Sequence, residues 1–193
     1  MAASIVLIGP SGAGKSTVSV LLAARLGWQA IELDKLRWKY FAEIGYDADY
    51  AAALREREGF ASVVRYWKPF DIHGVERITA EYSSNYVIGF GAGHSFYEDP
   101  EQFARAQKAL LPFHVVLLLP EPDIERSAAI LRERIATKES FLTEAFLDGI
   151  TAINRTFLAG SSNALLAKHT VYTARQSPEQ TCEAILASLT NGQ

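Results

Sequence analysis

The chain has 193 residues, 49% hydrophobic and 21% charged. This is the make-up of an ordinary globular protein, and the length suits one domain with at most a small lid or insertion. A net charge of -3 excludes a broad surface for nucleic acid or an anionic membrane and leaves room only for a local basic patch. A lone cysteine, Cys182, excludes an internal disulfide and a CxxC zinc pattern and fits a reducing cytosol.

In chain order, Ser4–Ile8 (SIVLI) reads as a buried parallel strand running into a glycine-rich turn. It is too short for a secretory signal, so the cytosol is the expected location, and no apolar run is long enough for a membrane span. Lys15–Leu26 carries Val18, Leu21, Leu22 and Leu26 at helical spacing, with Gly27 as its stop. Ala30–Leu33 reads as a second strand ending at Asp34, and Tyr86–Phe90 as a third ending in Gly91-Ala92-Gly93. His114–Leu119 is a fourth strand and Thr170–Thr173 a fifth; helices are expected over Pro122–Arg134 and Pro178–Leu189. Strands alternating with helices imply an α/β fold, a parallel sheet covered on both faces, with ligands at the carboxyl ends of the strands. The aromatic-rich stretch 36–72 and the weakly periodic stretch 136–167 resist assignment. Cys182, in the apolar run EQTCEAILASL, is expected to be buried and inert.

Gly9-Pro10-Ser11-Gly12-Ala13-Gly14-Lys15-Ser16 matches G-x-x-x-x-G-K-[ST] throughout, between a strand and a helix. The glycines let backbone N–H groups wrap phosphates, and the helix start adds free N–H groups and partial positive charge. Lys15 is expected to bridge the outer phosphates and Ser16 to help hold Mg²⁺. The nucleotide-binding set is thus Gly9, Ser11, Gly12, Ala13, Gly14, Lys15, Ser16 and Thr17.

Other candidates each carry two readings. Asp34 orients an attacking hydroxyl or holds Mg²⁺, or it caps the next helix. The turn GFGAGHS contacts an acceptor through Gly91, Ala92, Gly93 and His94, or its glycines merely permit the turn. The aromatic segment Trp38–Phe70 is the core of a helical subdomain, or it stacks a planar ring. Arg126, Arg132, Arg134, Lys138 and Arg155 cluster after the fourth strand, where phosphoryl transfer needs cations, although any of them alone suits a surface. His73, His114 and His169 lack metal-ligand spacing and read as structural, and Arg55-Glu56-Arg57-Glu58 reads as a solvated helix face.

GPSGAGKST, LGW, ELD, YVIGFGAG, HVVLLL and HTVYTARQSPEQTCEAIL together resemble the shikimate kinase branch of the nucleoside-monophosphate-kinase-like kinases. The resemblance implies a P-loop NTPase three-layer αβα sandwich with a five-stranded parallel sheet of order 2-3-1-4-5. It implies an acceptor-binding helical insertion over about 35–80 and a lid over about 132–160. It also implies an ATP–Mg²⁺ donor and a small-molecule acceptor. By the same resemblance Asp34 contacts the acceptor hydroxyl, Glu32 stands beside it where the family has Asp, and Gly91 and Gly93 are acceptor-binding glycines with Ala92 between them. Arg134 and Arg155 fall as lid arginines and Arg175 as the adenine-side residue.

The chain departs from the family where an arginine grips the acceptor carboxylate. Counting back from Gly91, Phe70-Asp71 occupies that place, with Leu54-Arg55, followed by Glu58, as an alternative match that needs a longer insertion, and no arginine–proline pair follows Arg134. The expectation is therefore an ATP-dependent small-molecule kinase whose acceptor is not shikimate. The alternatives are a nucleotide-dependent regulatory switch and a nucleoside or nucleotide kinase. Against the switch, neither YVIGFG nor HVVLLLP carries the Walker B acid.

Overall fold

The computed structural model describes residues 2–138 and 141–190. Five strands, β1 (Ile5–Ile8), β2 (Gln29–Glu32), β3 (Tyr86–Gly89), β4 (His114–Leu119) and β5 (His169–Tyr172), form one parallel sheet of order β2-β3-β1-β4-β5. The central strand is buried along its whole length, which is why it reads as an unbroken apolar run rather than an alternating one. Its register places Ile5 beside both Val87 and His114 and Leu7 beside Gly89 and Val116.

Helices cover both faces, and the pleat sorts the core accordingly. Ile5 and Leu7 face one layer with Val18, Leu22, Leu131, Cys182 and Ile185. That layer consists of α1 (Lys15–Leu26), α6 (Ile124–Lys138) and α9 (Pro178–Thr190). Val6 and Ile8 face the other layer with Leu33, Tyr40, Ile72, Ile78 and Leu110, from α2 (Leu33–Glu43), α4 (Phe60–Glu81) and α5 (Pro100–Leu110). Cys182 is fully buried, with Val18 carbonyl oxygen 3.8 Å from its sulfur. Among the described residues no helix is long and apolar enough to cross a membrane.

The stretch 36–72, unassigned from the sequence, folds as α2, α3 (Ala48–Glu58) and most of α4. Asp47 caps α3 by accepting from the Tyr50 N–H at 2.8 Å. The aromatic side chains pack on one another: Trp38 meets Phe41 at 5.6 Å and Trp67 at 6.2 Å, and Phe70 meets Tyr46 at 5.3 Å and Tyr66 at 5.2 Å. They hold these three helices together, the first of the two readings offered by the sequence. The stretch 136–167 is also mostly helical: α6 runs to Lys138, followed by α7 (Glu144–Ala159) and α8 (Ser162–Leu166). Thr143 caps α7, accepting from Phe146 N–H at 3.2 Å. Residues 139 and 140 of the expected lid lie outside the described residues.

One local expectation is corrected. Asp34 neither ends a strand nor caps a helix. The second strand stops at Glu32, which occupies the cap position, and Asp34 lies in the first turn of α2. A carboxylate there complements the positive end of the helix, while its side chain remains half exposed at 54%.

Candidate functional site

A cleft of about 520 Å³ opens at the carboxyl ends of β1, β2 and β3. Its floor is the phosphate loop, with Ser11, Gly12, Ala13, Gly14, Lys15, Ser16 and Thr17 all lining it. Gly9 starts the loop beneath that floor: a side chain there would collide with the Leu118 carbonyl oxygen of the neighbouring strand, and its φ is +137°. Only glycine meets both demands. The Lys15 ammonium donates to the carbonyls of Gly9 at 2.7 Å and Pro10 at 2.8 Å. Burial pushes it down to about 8, with Asp34 partly restoring it. A lysine held this way gains most from a polyanion brought within reach.

The β2–β3 side of the cleft is made by Glu32, Asp34, Gly89, Phe90, Gly91 and Ala92. Gly91 is required by approach rather than by dihedral angle, since its φ is -62°. A Cβ built on it would overlap the Asp34 carboxylate. Residues Ala92–Ser95 form a short 3-10 turn anchored from below. Tyr97 Oη donates to His94 carbonyl at 2.8 Å, and Ser162 Oγ donates to Ser95 carbonyl at 2.8 Å.

Behind this wall lies a charged cluster that the sequence did not reveal. Asp71, 2% exposed, has Arg37 Nη2 at 3.3 Å, Lys68 Nζ at 3.5 Å and His94 Nε2 at 3.3 Å. Arg37 also reaches Asp34 at 3.7 Å and lies over the Trp67 ring at 4.6 Å. Lys68 donates to the carbonyls of Gly93 at 2.7 Å and Phe96 at 2.8 Å, and burial lowers it against the opposing pull of Asp71. His94 is fully buried, and burial lowers it likewise. Neither ring nitrogen is in hydrogen-bond geometry. The Asp71 expectation therefore needs correcting. The carboxylate does stand in α4, but it faces inward onto three basic side chains and does not line the cleft.

On the other side, Arg134, Ile135 and Lys138 of α6 and Phe146 and Ile150 of α7 complete the lining. Arg134 donates to Thr173 Oγ1 at 3.0 Å and Thr173 carbonyl at 2.8 Å. The remaining sequence candidates are not brought to the cleft. Arg155 pairs with Glu125 at 2.9 Å, Arg175 is exposed in the turn after β5, and Gly93 and His94 lie behind the wall. Arg132 is taken by Glu144 and Asp148.

Asn154 was missed by sequence reasoning. It is 1% exposed, accepts from Ser11 N–H at 3.0 Å and donates to Ser11 carbonyl at 3.0 Å. This clasps α7 to the phosphate loop. The available signal was a polar residue on the face shared by Leu147, Thr151 and Phe157. Asn154→Ala removes both hydrogen bonds to the part-buried Ser11 backbone, a loss of about 1–3 kcal/mol at about 0.5–1.5 kcal/mol per bond. We expect a melting temperature lower by roughly 3–10 °C for a chain of this size. An unchanged thermal transition would mean that the clasp contributes nothing.

No family model matches the chain, and no curated protein matches it by sequence. Solved structures do match its fold. A shikimate kinase from Acinetobacter baumannii, in complex with shikimate, superposes with a TM-score of 0.68 at 18% identity, covering 100% of this chain and 96% of its own. A gluconokinase from Sinorhizobium meliloti 1021 gives 0.63 at 18% identity, with 98% and 92% covered. A sugar kinase from Janibacter gives 0.58 at 16% identity, with 98% and 95% covered. The chain thus shares its fold with these solved kinase structures.

Proposed function

We propose that the protein transfers the γ-phosphoryl group of ATP to a hydroxyl of a small molecule other than shikimate. The observation that carries this reading is the complete phosphate loop facing Asp34 across a single cleft. Phosphoryl transfer asks for positioning and charge stabilisation rather than a covalent intermediate, and the cleft walls divide those tasks. The loop backbone and Lys15 hold the triphosphate. Asp34, half exposed beside Gly91, orients the attacking hydroxyl and takes up its proton. Arg134 and Lys138 meet the charge on the moving group.

Mg²⁺ fits the donor set. It binds through one or two carboxylates or hydroxyls together with phosphate oxygens and water, and Ser16, Glu32 and Asp34 line the same cleft. When bound, Mg²⁺ supplies charge neutralisation between the phosphates. Among the described residues no three acidic, histidine or cysteine side chains form a cage of their own, which suits an ion held largely by the nucleotide. In this reading α2–α4 are the acceptor-binding insertion within one kinase domain, and α6–α7 are the lid. The lone buried thiol and the ATP donor go with a cytosolic location.

Gly91→Ala tests the acceptor side without removing any functional group. The added methyl displaces the Asp34 carboxylate, and we expect turnover to fall about tenfold or more, in line with the cost of small misplacements. The circular dichroism spectrum should not change. A variant with full activity would show that the Asp34 position is not critical.

The reading itself is tested by ADP release from ATP–Mg²⁺ with sugars, cyclitols, nucleosides and nucleotides offered in turn. Release that depends on an acceptor is expected. Steady release without one would favour the hydrolysing switch. A nucleoside or nucleotide acceptor would favour the third alternative.

A further inference from the structure

We infer that the acceptor is amphipathic, with a hydroxyl at Asp34 and an apolar group, aromatic or branched aliphatic, seated in a second cavity between α4 and α7. This inference rests on the kinase reading above.

The second cavity has a volume of about 410 Å³, in the range of small-molecule sites. Ala61 and Val64 line it from α4, Ile153 and Phe157 from α7, and Phe96 from the segment after the 3-10 turn. The rings of Phe96 and Phe157 are buried and pack on each other with centroids 4.7 Å apart. This apolar surface is therefore fixed before a ligand arrives, and little ordering cost attends its use. Arg65, Glu98 and Asp99 also line the cavity, are exposed, and carry both signs of charge. Apolar contact is left as the main source of affinity.

Two elements join this cavity to the catalytic cleft. The first is α7. Phe146 and Ile150 line the cleft, and Ile153 and Phe157 line the cavity. Steps of four, three and four residues keep all four on one helix face, and Ile153 lies about 4.5 Å along the axis beyond Ile150. The second is the turn after β3. Ala92, at its start, lines the cleft, and Phe96, just past its end, lines the cavity. Lys68 also lines the cavity and pins this turn, donating to the carbonyls of Gly93 at 2.7 Å and Phe96 at 2.8 Å.

The cleft thus continues along α7, past the turn that carries Gly91 beside Asp34, into an apolar end. The triphosphate takes the space over the phosphate loop. A small polyol at Asp34 would leave the walls of the second cavity in water, whereas an apolar substituent would remove both surfaces from it.

Acceptors that differ in one apolar group provide the test: glucose against phenyl β-glucoside, and glycerol against its phenyl ether. The full chain is assayed for ADP release from ATP–Mg²⁺, and binding of the neutral dye phenylnaphthylamine is followed by fluorescence. Thr156→Trp and Ala61→Trp, each at an exposed helical position lining the cavity, fill it from opposite sides, and circular dichroism checks that both variants fold. We expect the phenyl member of a pair to be favoured by about 10- to 100-fold in kcat/KM. Both tryptophans should abolish that preference, leave turnover of the unsubstituted acceptor unchanged, and weaken dye binding about tenfold or more. Three results would overturn the inference and leave the kinase reading standing: equal turnover of both members of a pair, dye binding that neither tryptophan disturbs, or bound dye that the phenyl acceptors do not displace. Dye that is lost in the variants and displaced by the phenyl acceptors, with no ADP release from any acceptor, would uphold an amphipathic ligand and sink the kinase reading. Absence of dye binding together with absence of turnover would overturn both.

Discussion

Lys15→Ala is expected to lower kcat/KM by about 1,000-fold while the protein stays folded. The ammonium reaches the two carbonyls at the start of the phosphate loop, so an arriving triphosphate replaces those contacts with phosphate oxygens. A preorganised cation in a water-poor site is worth about 3–4 kcal/mol to a transition state that concentrates negative charge, and each 1.36 kcal/mol is tenfold in rate. The folded state has little to lose. Burial holds Lys15 near 8 instead of 10.5, so the folded chain binds this proton more weakly than the unfolded chain does. The resulting penalty on stability is full below about pH 8 and fades as pH rises toward 10.5. Removing the side chain removes that penalty together with two hydrogen bonds of about 1 kcal/mol each. Thermal unfolding at pH 7 should therefore be little changed, while steady-state assays show the loss of rate. A variant that turns over at the parental rate would end the phosphate-loop mechanism, and one that fails to fold would show that Lys15 is structural.

Asp34→Asn should reduce kcat by about 100- to 1,000-fold and move the KM for ATP by no more than a few-fold. General base or orienting carboxylates contribute on this scale, and the amide keeps the shape while losing the charge and most of the basicity. The site makes the distinction sharp. Asp34 is in the first turn of α2, beside Gly91 and within 3.7 Å of Arg37, on the wall away from Arg134 and Lys138. Loss of the carboxylate should thus affect acceptor activation rather than the grip on the nucleotide. Gly91→Ala moves the same carboxylate without neutralising it, so the two variants should share a phenotype: lower kcat, near-normal ATP affinity. If Asp34→Asn instead lost ATP affinity and rate in equal measure, the carboxylate would belong to the donor site. Steady-state kinetics with ATP varied at saturating acceptor separate the two outcomes.

What the sequence determined by itself is the part encoded by neighbouring residues. The phosphate loop is legible because its geometry is made by eight consecutive residues whose backbone wraps the ligand. The strands are legible because burial on both faces demands unbroken apolar runs, so His114–Leu119 matches to the residue and the others shift by one at their ends. Even the order of the sheet followed once these elements and the family resemblance were combined.

Tertiary structure alone decided the pairings between segments distant in the chain. Asn154 clasps Ser11 across 143 residues, and its neighbours in sequence mark it only as a polar residue on a buried helix face, not what it meets. Arg37 meets Asp71 across 34 residues, and Lys68 reaches Gly93 across 25. Spacing from Gly91 could place Asp71 at the right height in the fold but could not tell which way it faced. That was settled by packing: the aromatic cluster fixes α2 against α4, and this brings Arg37 to Asp71, which Lys68 meets three residues away on α4 itself, behind the wall of the cleft. Arg155 went the other way for the same reason. A cation's place in the sequence says that it is near a site, but only the packed neighbours, Glu125 in the case of Arg155, decide where its charge is spent.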